Sequence, residues 1–498
     1  MNLNGRHCER SEAIFQGRRR MTDCFVATLL AMTTIFTFTL TAQAAMPALP
    51  VFAPLKFHPV KPERYVMPNG LVVYLLEDHE LPLVHLDMLF HTGSIDEPAD
   101  KVGMGGIFAQ AWTQGGTLTR KPEDIARLLE RKASNITFGM DLEKGAASLS
   151  CRTRDFDDVF NVFVDLLLKP GFAKDQVELA KSEELEGLRR RNDDPEEISR
   201  REFRILMYGS AHPYARVATP EGVQSIKRED LLAWHAQTIV PNGAYLALSG
   251  DFDSAAMKQK LQAQLGGWAK KEVVFPVLPP APIFDHKRLM YIQRPINQTQ
   301  IRVGYPGYPR HHPDSFAWSV FNVLWGGGAT SRLFRIVRTQ QGLAYSVGSA
   351  DFVPQERGIV VALSQTRGFQ TVAATQSILK INAELPDTTF TPEEVQAAKD
   401  TLINEYIQNF TTSEQIAAET MNNEYFGFPA DYLETYPQKI AQVTVADVER
   451  MAKTYLQSGQ VTTLLVGDLS TFEKPVGTLG KAQEIQLIDY ADDQTTHY

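Results

Sequence analysis

Residues 326–348 carry the sequence GGGATSRLFRIVRTQQGLAYSVG, which predicts a short helix, a tight turn and a strand. Ser331 can begin the helix, because its hydroxyl can accept a hydrogen bond from the free N–H groups of a first helical turn. Apolar residues then recur at helical spacing and give the helix one apolar side: Leu333, Ile336 and Val337. Gly342 can end the helix, as a glycine just past the last turn commonly does. Residues 343–347 then indicate a strand.

The same stretch places a cation and a phenol seven residues apart, at Arg338 and Tyr345. The predicted helix and strand would hold the two side chains near each other on rigid elements. Spacing alone leaves two interpretations open. The pair could contact a bound molecule, or it could be an exposed arginine and an edge-strand tyrosine without such a role.

This stretch resembles the C-terminal half of the M16 (pitrilysin/insulinase-like) metallopeptidases, in which the pattern SRLF…(L/V)RE…GLAYSV carries an Arg/Tyr pair. Arg338 and Tyr345 match that pair in order and separation, and the resemblance extends over nearly all of residues 60–470. In the family the pair helps to hold the backbone of the substrate. The resemblance therefore implies that Arg338 and Tyr345 are substrate-binding residues.

An internal repeat divides the chain into two homologous halves of about equal size. Residues 226–251 align with residues 443–468 without a gap, so that Asp230 falls on Asp447 and both copies end in Gly-Asp. Each copy predicts a helix with an acidic first turn, followed by a strand. The resemblance implies the same design: an α+β fold of two homologous halves, each a mostly antiparallel sheet packed by helices, which close like a clam shell on an unfolded substrate.

The predicted domain boundaries follow from the repeat and from the local composition. Residues 45–266 are expected to form an N-terminal M16-like domain, and residues 288–480 a C-terminal one. Residues 267–287 between them are rich in proline, which is typical of an extended linker. Residues 1–44 are interpreted as a signal peptide and residues 481–498 as a tail.

The N-terminal segment has the composition of a cleaved signal peptide. Three arginines at 18–20 precede an uncharged apolar run over residues 25–40, and the sequence AQA at 42–44 has the shape of a signal-peptidase site. The run is short for a membrane span of about 20 residues, so cleavage before Ala45 is favoured over a retained anchor. We therefore expect export to the periplasm without membrane attachment after cleavage, which N-terminal sequencing of the mature protein can check.

The net charge, the cysteine content and the lack of certain motifs argue against several other classes of protein. The net charge of −9 argues against a nucleic-acid partner, which would require a basic face. After signal cleavage Cys151 is the only cysteine, so no intramolecular disulfide is expected. The sequence contains no P-loop, no dinucleotide-binding fingerprint and no GxSxG nucleophile motif.

The zinc-binding motif of the family is missing from the first half. In the family, HxxEH on a helix supplies two zinc ligands and a general base, within a pattern close to GLAHxxEHxxFxGT. The matching stretch here is GMGGIFAQAWTQGG over residues 103–116. It puts Gly106, Ala109 and Gln110 at the three functional positions, where no imidazole or carboxylate remains. The third ligand of the family, a Glu on a later charged helix, falls on Gly187.

Two other histidine groups could in principle bind a metal: His85 with His91, and His311 and His312 with Asp314. Adjacent residues of an extended chain point in opposite directions. Zinc sites in proteins need three or four converging ligands. The simpler interpretation, a histidine pair on a sheet and a solvated loop, is therefore favoured.

These features together predict the non-catalytic, substrate-binding subunit of a heterodimeric periplasmic M16B zinc metalloendopeptidase that acts on peptides or unfolded proteins. In resembling bacterial pairs one chain carries the zinc motif and lacks the Arg/Tyr pair, whereas the other chain has the reverse pattern, as here. The chain is expected to be inactive alone, to bind no cofactor itself and to pair with a zinc-bearing M16B subunit. Two alternatives stay open: a peptide-binding or assembly protein without a peptidase role, and an active peptidase with an unrecognised metal site.

Overall fold

The structure, a computed structural model, describes residues 57–272 and 277–490. The predicted signal peptide over residues 1–44 lies outside the described residues, as do residues 273–276 of the predicted linker and 491–498 of the predicted tail. Within the two described ranges, no helix is both long enough and apolar enough to cross a bilayer.

Two six-stranded sheets with equivalent strand order form the framework, one in each half of the chain. The first sheet has the order β1-β2-β6-β3-β5-β4 and consists of β1 (Glu63–Val66), β2 (Val72–Glu77), β3 (Leu83–Phe90), β4 (Asn135–Met140), β5 (Gly145–Arg152) and β6 (Ala244–Gly250). The second has the order β12-β7-β11-β8-β10-β9 and consists of β7 (Arg288–Gln293), β8 (Gln298–Pro306), β9 (Ser346–Phe352), β10 (Ile359–Arg367), β11 (Thr462–Gly467) and β12 (Ala482–Glu484).

Most neighbouring strands run antiparallel. In the first sheet only β2 and β6 are parallel. In the second sheet β7 is parallel to both β11 and β12. The predicted fold class, two homologous α+β halves with mostly antiparallel sheets, is therefore confirmed.

The helices also follow the internal repeat. The first half contains α1 (Met104–Gln114), α2 (Pro122–Lys132), α3 (Phe156–Leu168), α4 (Lys174–Arg190), α5 (Pro195–Tyr208), α6 (Pro220–Ser225), α7 (Arg228–Thr238) and α8 (Ser254–Leu265). The second half contains α9 (Ser315–Trp325), α10 (Thr371–Glu384), α11 (Pro392–Gln408), α12 (Ser413–Tyr425), α13 (Tyr432–Gln442) and α14 (Val445–Tyr455). The aligned copies 226–251 and 443–468 form the equivalent units α7–β6 and α14–β11, as the sequence predicted.

Capping residues fix where the long helices begin. Thr391 accepts a hydrogen bond from the Glu394 N–H at 3.2 Å, and the Glu394 carboxylate accepts from the Thr391 N–H at 3.1 Å, which is the reciprocal capping box. Asp194 accepts from the Glu196 N–H at 2.8 Å, and Pro195 occupies the first helical position. The boundary between α4 and α5 is therefore set by the local sequence.

The helices of each half bury one face of that half's own sheet. In the first half Trp112 of α1 stacks on Phe138 of β4 with ring centroids 4.1 Å apart, and Phe163 of α3 lies against the same ring. In the second half Trp318 and Trp325 of α9 are fully buried under β8 and β10. Each half thus has its own hydrophobic core.

The opposite face of each sheet is covered by a helix from the other half. Helix α5 packs on β8 and β11 of the second sheet through Ile198, Phe203 and Met207. Helix α12 packs on β2, β3 and β6 of the first sheet through Ile416 and Met421. Because α5 and α12 are equivalent in the repeat, the exchange is reciprocal and joins the halves through two further hydrophobic cores.

Polar groups at the contact between the two halves also form hydrogen bonds from one half to the other. The Tyr425 hydroxyl, at the end of α12, donates to the carbonyl oxygens of Phe90 and Glu143 at 3.1 and 3.0 Å. On the other side, Arg302 of β8 donates to the Ser199 hydroxyl of α5 at 2.8 Å. These bonds satisfy groups that burial would otherwise leave unpaired.

The predicted tail contributes to the second sheet. Residues 482–484 form β12, the strand that borders β7, and the Ile485 N–H donates to the Tyr291 carbonyl at 2.8 Å. Its three residues, AQE, lack the apolar pattern that identifies a strand from sequence. This strand was therefore not predicted.

Removal of one side chain from the exchanged helix should destabilise the whole protein. Phe203 is 3% exposed, and a Cβ added at Gly304 of β8 would lie only 2.7 Å from its ring. We expect Phe203→Ala to lower the free energy of unfolding by about 3–5 kcal/mol, because it leaves a cavity between the halves. Chemical denaturation of the purified protein measures this change.

Phe369→Ala is the matched control, because Phe369 is 56% exposed and its truncation should change stability by less than about 0.5 kcal/mol. Equal denaturation midpoints for the two variants would contradict a shared core under α5.

Candidate functional site

Arg338 and Tyr345 lie close together on the surface of the second half. The guanidinium carbon of Arg338 is 5.9 Å from the ring centroid of Tyr345 and 4.7 Å from that of Phe334. Arg338 is exposed, and Tyr345 is 71% exposed. The structure therefore brings together the two residues that the sequence singled out.

The local backbone follows the sequence prediction with one difference. The Ser331 hydroxyl accepts from the Phe334 N–H at 3.3 Å, and Gly342 ends the helical segment with a positive φ of 63°. The segment Phe334–Gln340 is wound as a π-helix, a form that often occurs at functional sites. An ordinary helix was predicted, because apolar spacing does not distinguish the two windings over so short a segment.

The strand after the turn begins later than predicted. It was expected at residues 343–347, whereas β9 begins at Ser346. The Tyr345 N–H still donates to the Gln365 carbonyl at 3.0 Å, so Tyr345 is fixed at the start of the β9–β10 ladder. Its side chain therefore projects from a constrained backbone.

The Arg338–Tyr345 pair lies at the end of an unpaired strand edge. In the described part of the chain β9 is the last strand of the second sheet and pairs only with β10. A cavity of about 490 Å³ opens beside it, lined by residues 346–349 of β9 together with Gln365 and Glu196. Neither the Arg338 guanidinium nor the Tyr345 hydroxyl has a hydrogen-bond partner among the described residues, so both can donate to a bound molecule.

The missing zinc motif lies on α1, which packs against α4 in the first half. Gly106, Ala109 and Gln110 are on α1, and Gly187 is on α4. The Gln110 amide donates to the Glu183 carboxylate at 2.6 Å, so a side-chain hydrogen bond links the two helices at one of the four positions.

Two carboxylates of α4 that sequence reasoning missed face these α1 positions. Glu183 accepts from Gln110, and a Cβ at Gly106 would lie 3.7 Å from the Glu184 carboxylate. A Cβ at Gly187 would contact no atom within 4 Å. Residues four apart share one side of a helix, so Glu183 could have been found as the neighbour of position 187.

Two carboxyl groups of this region are shielded from solvent. Burial raises the pKa of the Glu184 carboxyl. Burial also raises the pKa of Glu97, which is 5% exposed, although it accepts from the N–H groups of Gly103 and Gly105 at 2.9 and 2.7 Å. The residues present, one amide and two carboxylates without an imidazole, do not fit the hydrolytic zinc site of the family.

The two other histidine groups do not converge on a metal. His85 approaches Glu414 at 3.6 Å, whereas His91 stacks on Tyr425 with ring centroids 4.4 Å apart. His311 packs against the Phe428 ring at 4.9 Å. Its neighbour His312 accepts instead from the Asp314 N–H at 3.2 Å. Across residues 57–272 and 277–490 no three His, Cys, Asp or Glu side chains are grouped to hold a metal ion.

The fold and the degenerate site define a peptidase-like protein of two homologous halves that lacks the metal ligands of an active enzyme. Residues 72–210 match the family described as Insulinase (Peptidase family M16), and residues 225–402 match the Peptidase M16 inactive domain. The two matches together cover more than half of the chain, which therefore belongs to the M16 peptidase family.

Individual relatives include both non-peptidase and protease descriptions. The chain is 24% identical over 400 residues to a "Non-peptidase homolog YmxG" of Helicobacter pylori, with 79% of this chain and 90% of that relative covered. It is 26% identical over 396 residues to an uncharacterised zinc protease of Mycobacterium leprae, with 78% and 88% covered. The crystal structure of a peptidase M16 inactive domain from Pseudomonas fluorescens has a TM-score of 0.75 at 23% identity, covering 84% of this chain and 100% of that one. The chain is therefore similar both to a relative described as a non-peptidase and to one described as a zinc protease, and it shares its fold with an M16 inactive domain.

Metal analysis can test the degenerate site. We expect the purified chain to hold no stoichiometric zinc and to cleave no unstructured peptide. Gly106→His with Gln110→His would place one imidazole near Glu184 and one beside Glu183, which together with Glu183 gives three potential ligands. This double variant should take up about one zinc per chain but remain inactive, because Ala109 supplies no general base.

Adding Glu183→Gln to the double variant is the control and should abolish zinc uptake. About one tightly held zinc in the unmodified chain, removed by a chelator together with peptidase activity, would show that the chain is an enzyme with another metal site.

Proposed function

We propose that this chain is the non-catalytic, substrate-binding subunit of a heterodimeric M16B zinc endopeptidase that acts on peptides or unfolded proteins in the periplasm. The observation that carries the proposal is that one of the family's two functional sites is lost and the other is kept. The zinc positions Gly106, Ala109 and Gln110 lack metal-binding side chains, whereas Arg338 and Tyr345 lie together and exposed. A partner chain with an intact HxxEH motif would supply what this chain lacks.

The chemistry of the pair suits a peptide backbone. A guanidinium group and a phenol hydroxyl are both hydrogen-bond donors, and a peptide carbonyl is an acceptor. The carbonyl of a scissile peptide gains negative charge in the transition state, when donors of this kind stabilise it most strongly. The unpaired edge of β9 beside Tyr345 could accept an extended peptide as an additional strand.

The joined halves support a two-chain enzyme. Helices α5 and α12 share hydrophobic cores with the sheets of the opposite halves, so a clam-shell movement between the halves of one chain would expose both cores. Closure on a substrate is therefore assigned to the contact between this chain and its partner. Export to the periplasm is part of the proposal and rests on the sequence of residues 1–44.

Substitution of the pair tests its role in the two-chain complex. Tyr345→Phe removes one hydroxyl and little volume, so it should lower kcat/KM by about a hundredfold, corresponding to about 3 kcal/mol for one transition-state donor. Arg338→Ala should reduce it at least as much. The assay is cleavage of an unstructured peptide by this chain reconstituted with its zinc-bearing partner, together with the Tm of each variant.

Arg335→Ala is the matched control, because Arg335 is an exposed arginine in the same helical segment. It should leave kcat/KM unchanged. Unaltered turnover for both Arg338→Ala and Tyr345→Phe would instead assign the pair a structural role.

A further inference from the structure

Arginine is concentrated at the junction of α4 and α5, although the protein is acidic with a net charge of −9. A pocket of about 380 Å³ opens there. Six arginines line it: Arg190, Arg191, Arg200, Arg201, Arg204 and Arg216. Only Asp194 and Glu197 add negative charge to the lining, so the pocket is strongly basic.

Two of these arginines form hydrogen bonds that hold the pocket wall in place. Arg201 donates to the Arg191 carbonyl at 2.9 Å and to the Asn192 side chain at 2.8 Å. It also forms an ion pair with Glu202 at 2.9 Å. Arg216 donates to two backbone carbonyls of the first half at 2.9 and 2.7 Å. These contacts give the pocket a defined shape before any ligand enters.

Two other arginines keep uncommitted donors. The Nε and Nη1 atoms of Arg191 are buried and have no hydrogen-bond partner within the described part of the chain. The Arg191 Nη2 donates to the Ile488 carbonyl at 3.0 Å, and its guanidinium carbon lies 4.1 Å from the centroid of the Tyr490 ring. Arg204 forms no hydrogen bond or ion pair with any described residue, and its guanidinium carbon is 5.5 Å from the Phe352 ring centroid.

The uncommitted charges are held in an unfavourable environment. Burial lowers the pKa of both Arg191 and Arg204, and the neighbouring charges of Arg201 and Arg200 lower them further. Glu202 acts in the opposite direction on Arg191, and Glu197 on Arg204, but the pKa of each guanidinium remains lowered. Glu197 is paired with Arg200 at the rim and does not reach these two groups in an ion pair.

We propose that this pocket binds a phosphate-class oxyanion. A guanidinium fork matches pairs of phosphate oxygens in a planar, bidentate arrangement. A doubly charged phosphate would balance the charges of both Arg191 and Arg204, whereas a single carboxylate would balance one. The volume exceeds that of an inorganic phosphate ion, so it also admits a phosphate carried on a small organic molecule. This site is separate from the Arg338–Tyr345 pair and does not depend on the proposed function.

Calorimetric titration of the full chain tests the proposal, with inorganic phosphate and glycerol phosphate as probes at an ionic strength held constant with chloride. We expect one saturable site, and at least a tenfold loss of affinity in Arg204→Gln, since a hydrogen bond to a charged group is lost. Because Arg204 makes no hydrogen bond to the described residues, the Arg204→Gln variant should fold. Arg200→Gln at the rim provides a second variant, with a smaller expected loss of affinity. Tighter binding of glycerol phosphate would identify an organic phosphate as the ligand, and tighter binding of phosphate would identify the free ion.

Two controls make the result decisive. Arg127→Gln, on the exposed side of α2, should leave affinity unchanged. The double substitution Asp492→Asn with Asp493→Asn should also leave it unchanged. Phosphate binding that appears only in this double variant would mean that the acidic C-terminal residues occupy the pocket, and it would overturn the proposal. Affinity that Arg204→Gln does not alter, or the absence of a saturable site, would overturn it as well.

Discussion

The reciprocal exchange of α5 and α12 is the constraint on which the rest of this structure depends. The central strands β6 and β11 are buried along nearly their whole length, so both faces of each sheet must be covered. Each half covers one face with its own helices and leaves the other face to the equivalent helix of its neighbour. Neither half alone would bury both faces of its sheet. The two halves therefore fold together and move together as one unit.

Because the exchange joins the two halves, it also fixes the half of the chain in which each candidate site is located. The degenerate zinc positions are in the first half on α1, and the Arg338–Tyr345 pair is in the second half beside β9. Glu143 links the halves, because it pairs with Arg310 and accepts from the Gln355 N–H at 2.8 Å. The structure thus places the degenerate zinc positions and the exposed pair on different halves of one joined unit.

Much of the fold could be predicted from the sequence, because it depends on local signals. Apolar strands, capping residues and the aligned copies 226–251 and 443–468 indicated the two α+β halves, and the family motif indicated Arg338 and Tyr345. The partner of an amphipathic helix could not be predicted in the same way. The apolar residues of α5, such as Ile198 and Phe203, show that one side is buried, but they do not specify which sheet buries it. The π-helical winding and the three-residue strand β12 likewise depend on tertiary contacts.

The central claim is that this chain completes a partner's active site without having one itself. The most direct measurement is peptide cleavage by a fixed amount of a zinc-bearing M16 chain from the same organism, titrated with this chain. The account predicts that each chain alone is inactive and that activity rises until the two chains are present in equal molar amounts. Full activity of the zinc-bearing chain alone, unchanged by this chain, would contradict the account.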